Sequence, residues 1–155
     1  MKVLDANNPL NKLVVDYLHA RNPSQPLFAA HDSVSSPYMN QGSHPDIVER
    51  VWKQIGSALP VDCRCLVCGT PALVQPHSGI VLAFCLGTAY CLRLPSGLLE
   101  EAISHGAKTS TKWSNGTVLE AAQTFGPDWI FGAWKEEAEW CRKTYDAYNE
   151  SLTDS

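Results

Sequence analysis

Positive charge is scarce in this 155-residue chain. Lys and Arg total 12 against 16 Asp and Glu, a net charge of −4 at neutral pH. A protein that grips a phosphate backbone presents a basic face. The cations here are scattered, so nucleic acid is not an expected partner. Long hydrophobic runs are missing too. The longest nearly uncharged apolar stretch, Ile80–Leu92, is broken by Gly87 and Thr88 and falls short of the ~20 residues that span a bilayer. No membrane association is expected. The opening MKVLDANNPLNK lacks the apolar core of a secretory signal. Six cysteines in that setting point to free thiols in a reducing cytoplasm. Also absent are a Gly-x-Ser-x-Gly elbow, a phosphate loop, a dinucleotide fingerprint, a His-Glu-x-x-His pair and an EF-hand loop. No motif specifies a reaction, and no cofactor is expected.

What is present describes a globular body. Hydrophobic residues make up 45% of the chain and charged residues 18%, a balance that favours folding over disorder. The length suits one domain over residues 1–155. Residues 61–94 contain three β-rich apolar runs separated by short turn signals, which reads as an antiparallel meander. The first run, Val61–Val74, is one bent strand or two pieces broken near Gly69-Thr70-Pro71. Pro71 lacks an N–H, which suggests an edge or a bulge there. Turns at Pro76–Gly79 and Gly87-Thr88 then flank Ile80–Leu86, whose lack of polar alternation marks a central strand covered on both faces.

Helices flank the meander. Asn8 as cap and Pro9 at the first position open one, with Leu10, Leu13, Val14, Tyr17 and Leu18 as its buried stripe. A second starts at Ser43 or His44 and buries Ile47, Val48, Val51, Trp52, Ile55 and Leu59, leaving Glu49, Arg50, Lys53 and Gln54 to water. Between them, residues 22–43 form a long Pro/Ser-rich loop. A connection of that length is unusual in a compact domain, and Leu27, Phe28, Tyr38 and Met39 favour its docking. A short helix over Gly97–Ser104 ends at Gly106. Lys108–Trp113 reads as a strand. Thr117–Glu120 has capping-box spacing and is read as helix to Phe125, with a strand at Thr117–Leu119 as the competing reading. Trp129–Phe131 is a short strand or turn. A last helix runs from Ala133 to about Asn149, with Trp134, Ala138, Cys141, Tyr145 and Tyr148 inward. The fold class is α+β: an antiparallel meander sheet packed on one side by helices, with an N-terminal helical segment and a C-terminal aromatic-rich helix.

Few residues advertise chemistry. Cys63, Cys65 and Cys68 include a Cys-x-x-Cys-Gly, half of a zinc knuckle, but no second half repeats the spacing. Leu66 and Val67 suit a strand better than a metal-binding turn, so the thiols read as small buried hydrophobes and no metal is expected. His31-Asp32-Ser33 holds the residue types of a hydrolase triad without the separation in sequence that triads use. Glu100-Glu101 and Glu136-Glu137 read as solvated faces. The tail is dense in aromatics, and Trp129, Trp134 and Tyr145 would clamp the last helix to the sheet. Trp140 lies off that stripe, and an exposed Trp there would mark a partner surface. A pocket between the 22–43 loop and the sheet would gather His31, Asp32, His77 and Arg93.

With Leu92-Arg93-Leu94-Pro95 ending the meander, a helix following, and an Asp128-Trp129…Trp134…Trp140…Tyr148 tail, the layout over residues 45–150 resembles the MmcQ/YjbR-like and TfoX N-terminal families. The resemblance implies a small α+β binding domain, with DNA proposed for some members, and no catalytic residues to carry over. The 22–43 loop and the acidic balance depart from it. The expected function is a non-catalytic cytoplasmic module that binds a protein partner or small ligand, or self-associates. His31, Asp32, His77, Arg93, Trp129 and Trp140 are the candidate contacts. The competing readings are a small enzyme with its pocket under the 22–43 loop and a zinc- or nucleic-acid-binding domain.

Overall fold

The computed structural model describes residues 4–30, 44–95, 97–113, 115–132 and 135–153, with side chains through Tyr148. Asn8 does cap: its side chain accepts the Leu10 N–H at 2.9 Å. What it caps is a 3-10 turn, Pro9–Asn11, which passes into α1, Lys12–Arg21. The tighter turn rotates the stripe expected from the sequence. Val14 and Leu18 are fully buried, whereas Leu10 and Leu13 stay 41% and 48% exposed and Asn11 takes the inward place.

The sheet has six antiparallel strands in the order β1-β2-β3-β4-β5-β8: β1 Phe28–Ala30, β2 Arg64–Val67, β3 Thr70–Val74, β4 Val81–Leu86, β5 Ala89–Arg93 and β8 Trp129–Phe131. The meander is therefore present, and its first run is two strands. Their turn is Cys68-Gly69, with φ of 49° and 79°, the pair of positive values that a tight hairpin of matching twist requires. Pro71 is neither on an edge strand nor at the bulge. It sits opposite Leu66, ahead of the first β3–β4 pair at Ala72, and the register shift falls later, between Leu73 and Val74. A missing N–H is tolerated there because pairing with β4 has not begun. β1 lies within the segment read as a long loop and adds an edge strand to β2. Residues 31–43 fall outside the described residues.

His44 caps α2, Pro45–Glu49, by accepting the Asp46 N–H on its Nδ1 at 3.1 Å. The helix widens into a π-helical stretch, Arg50–Ile55, and closes with a 3-10 turn, Gly56–Ala58. Val48, Val51, Trp52, Ile55 and Leu59 are buried as the spacing predicts, and the Trp52 indole donates to Ala72 O at 2.9 Å. A short α3, Leu99–Ser104, ends at Gly106 with φ of 109°. β6, Ser110–Lys112, pairs with β7, Val118–Glu120, so the competing strand reading is the correct one. The Asn115-Gly116 turn lets Trp113 N–H reach Thr117 O at 2.8 Å, and that hairpin outweighs the capping-box spacing. The helix starts later, as α4, Ala121–Phe125.

Alternation along the strands divides the core in two. On one face Leu66, Leu73, Leu82, Leu92 and Ile130 meet the Val48–Ile55 stripe and the last helix, α5, Glu137–Thr153. On the other, Val67, Val74, Phe84 and Phe131 meet Val14 and Leu18 of α1 with Ala121 and Phe125 of α4. The sheet expected to carry helices on one side is covered by helices on both. An interior strand as uniformly apolar as β4 demands this, since each buried large side chain is worth ~1.5–3 kcal/mol only when water is kept off it.

The phase of α5 also differs from the expectation. Glu137, Trp140, Cys141 and Thr144 are the buried positions, and Ala138 is half-buried. Trp140, expected off the inward stripe, is only 5% exposed. Trp129 does not clamp α5. It packs on the opposite face, against Phe84 and Phe125 at ring separations of 5.1 and 6.2 Å. Trp134 lies outside the described residues.

Candidate functional site

Arg93 is a cation at the end of an apolar strand, and it is only 3% exposed. Its Nε donates to Val81 O at 2.8 Å and its Nη2 to Leu10 O at 2.9 Å. The guanidinium lies 4.7 Å from the centroid of the Trp129 ring. Burial lowers its pKa, and the hydrogen bond to Tyr148 and the charge of Asp128 oppose that fall. Arg93 thus joins four parts of the chain: the N-terminal turn, the start of β4, β8 and the last helix.

Asn11 holds the same seam. Its Nδ2 donates to Asp5 O at 2.8 Å and Gly79 O at 2.7 Å, and its Oδ1 accepts the Val81 N–H at 2.9 Å. Gly79 has φ of +73°, and a Cβ there would stand 2.5 Å from Asp5 N. Only glycine allows Asp5 to lie so close to the β3–β4 turn.

Two clefts open along this seam, on either side of Leu10. The larger, of about 440 Å³, is lined by Asp5, Asn8, Leu10, His77, Ser78 and Tyr148. The smaller, of about 120 Å³, is lined by Leu10, Leu13, Arg93, Phe125, Gly126 and Asp128 among others. Tyr148 belongs to the wall of the first and hydrogen-bonds the Arg93 guanidinium that floors the second.

No protein-family model, curated protein or solved structure matches this chain.

The seam brings together His77, Arg93 and Trp129 of the sequence candidates. His77 is exposed on the larger cleft, Arg93 floors the smaller one, and Trp129 lies beneath Arg93. Trp140 belongs to the other face of the sheet, with Lys143 Nζ 5.4 Å from its ring centroid and His105 6.0 Å away. His31 and Asp32 lie outside the described residues. Of the 22–43 segment, residues 22–30 are described, and their strand β1 pairs on the far edge of the sheet, several strands from β5. Four contributors carry no sequence signal for the site: Leu10, Leu13, Asp128 and Tyr148. Leu10 and Leu13 fit a buried helical stripe, and only the 3-10 turn takes them off it. The signal for the smaller cleft is an arginine inside the apolar run Ala89–Leu94.

A second polar cluster is equally silent in the sequence. Glu137 is 2% exposed and forms an ion pair with Arg50, though the spacing along their helices places both toward water. Arg50 Nε donates to Glu137 Oε1 at 2.6 Å, and the Tyr90 hydroxyl lies 2.9 Å from both carboxylate oxygens. Burial and the Glu137 charge raise the Tyr90 pKa, so the phenol stays the donor. Gly132 packs on that ring, and a Cβ there would fall 2.1 Å from Tyr90 Cε2. The cluster is closed upon itself and ties α2, β5 and α5 together.

The thiols divide between the faces. Cys63, Cys85 and Cys141 lie in one half of the core and Cys65, Cys68 and Cys91 in the other. All six are buried and free. Desolvation pushes Cys63 up to about 11 and Cys141 up to about 12, and raises Cys65, Cys85 and Cys91 as well. Thiols in that state are poor nucleophiles, since the thiolate is the reactive form. Among the described residues no three His, Cys, Asp or Glu side chains are grouped to hold a metal ion, and none of the described helices is long and apolar enough to cross a membrane.

Proposed function

We propose that this chain is a non-catalytic binding module whose site is the pair of clefts flanking Leu10, and that it takes a small ligand there. The observation that carries this reading is Arg93, a buried guanidinium presented to a concave, partly apolar space. Binding sites combine apolar walls with a few placed polar groups, and this seam has that composition. The layout resemblance to the MmcQ/YjbR-like and TfoX N-terminal binding domains points the same way. A cytoplasmic location forms part of the proposal, resting on six free thiols.

A small ligand is favoured over a protein partner because the residue that would have marked a partner surface, Trp140, is buried. Binding is favoured over catalysis because the buried titratable groups among the described residues are tied into the fold, as Glu137 and Tyr90 are with Arg50, or are thiols.

The test is a ligand-observed NMR screen of a small-fragment set against the wild-type chain and Leu13→Trp. Leu13 sits half-exposed at the mouth of the smaller cleft, so the indole fills the space without entering the core. Fragments that bind the wild type and are lost in the variant support the reading. Absence of any binder, or binders indifferent to Leu13→Trp, overturns it.

A further inference from the structure

The smaller cleft has features that specify its ligand, an assignment that rests on the binding reading above. Arg93 forms no ion pair with a described carboxylate. It donates to two backbone carbonyls, and its third partner is a phenol. A buried charge without a bonded counterion is costly.

We propose that this cleft binds a short aliphatic monocarboxylate, its carboxylate on Arg93 and its alkyl end between Leu10, Leu13 and Phe125. A guanidinium is the group that recognises a carboxylate. The opposite walls are apolar and would hold a hydrocarbon chain. The volume of about 120 Å³ restricts the ligand to a small molecule such as butyrate. Asp128 sets the charge. It lines the same cleft and acts on Arg93 through space. One negative charge is therefore welcome beside Arg93, whereas a second would face Asp128 with no further cation among the lining residues. Dicarboxylates and phosphate are disfavoured.

Calorimetric titration of the full chain with butyrate, butyramide, n-butylammonium, succinate and inorganic phosphate tests this. Butyrate binds saturably, and the other four bind at least about tenfold more weakly, the factor that one charge-assisted hydrogen bond supplies. Asp128→Asn, at a half-buried rim position that leaves the core intact, tightens butyrate severalfold. Butyramide or phosphate equal to butyrate overturns the proposal, as does butyrate affinity unmoved by Asp128→Asn. If fragments occupy the cleft and are displaced by Leu13→Trp while butyrate does not bind, this inference fails and the binding reading stands. If nothing binds, both fail.

Discussion

Asn11 and Val81, seventy residues apart, meet in a hydrogen bond of 2.9 Å from the Val81 backbone N–H to the Asn11 side-chain Oδ1. The same side chain donates to Gly79 O and Asp5 O, so one buried amide joins the N-terminal turn to the start of β4. Replacing it with Ala leaves the Val81 N–H and the Gly79 carbonyl without this partner. Asn11→Ala is expected to lower stability by about 2–3 kcal/mol, read as a fall in the urea midpoint at unchanged m-value. A loss below ~0.5 kcal/mol would show that water replaces the amide there.

The buried carboxylate of Glu137 depends on Arg50. Arg50→Met should cost about 3 kcal/mol, the low end for breaking a buried pair because the arginine side chain is 37% exposed. The double variant Arg50→Met/Glu137→Leu should recover most of that loss, because the stranded charge is gone. A double-mutant cycle with strictly additive terms would deny the coupling.

Gly132 allows the Tyr90 ring to pack against its backbone. Gly132→Ala is expected to destabilise by about 1–3 kcal/mol through overpacking. Thermal unfolding of the variant measures it, and an unchanged midpoint would mean the ring moves aside freely.

Four deeply buried thiols, Cys65, Cys85, Cys91 and Cys141, have pKa values raised by desolvation. Their unfolded forms ionise near ~8.5–9. The stability they contribute is complete below that value. It falls as pH rises from there toward the folded values, because the native state then holds protons that the unfolded state releases. Each thiol contributes a slope of about 1.4 kcal/mol per pH unit. Urea midpoints should be flat up to about pH 8 and fall steeply beyond it, and Cys91→Ala should shallow the descent. A flat profile through about pH 10 would show that the thiols ionise inside the fold.

Much of the architecture was legible because it rests on local rules. The unalternating run Ile80–Leu86 announced a strand covered on both faces, and β4 is one. The stripe from Val48 to Leu59 announced a buried helical face, and His44 and Pro45 its start. The departures share a cause. Thr117–Glu120 has the spacing of a helix cap, yet the neighbouring Asn115-Gly116 turn brought it against Ser110–Lys112. Glu137 and Arg50 are charged residues on helices, and nothing in their own segments shows that they face each other. Trp140 lost its exposed position when α5 settled with Glu137, Trp140, Cys141 and Thr144 inward, a phase set by what the helix packs against.

The chain's own order of residues determined the elements: periodicity, caps and turn residues act over a few positions and need no distant partner. The candidate site was decided elsewhere. Arg93, Leu10, Trp129 and Tyr148 come from four segments, and each has an ordinary role within its own. Only the closure of the N-terminal turn and the last helix onto the ends of β4 and β5 places a buried cation beside a cleft, because such a charge is defined by the long-range contacts that remove water from it.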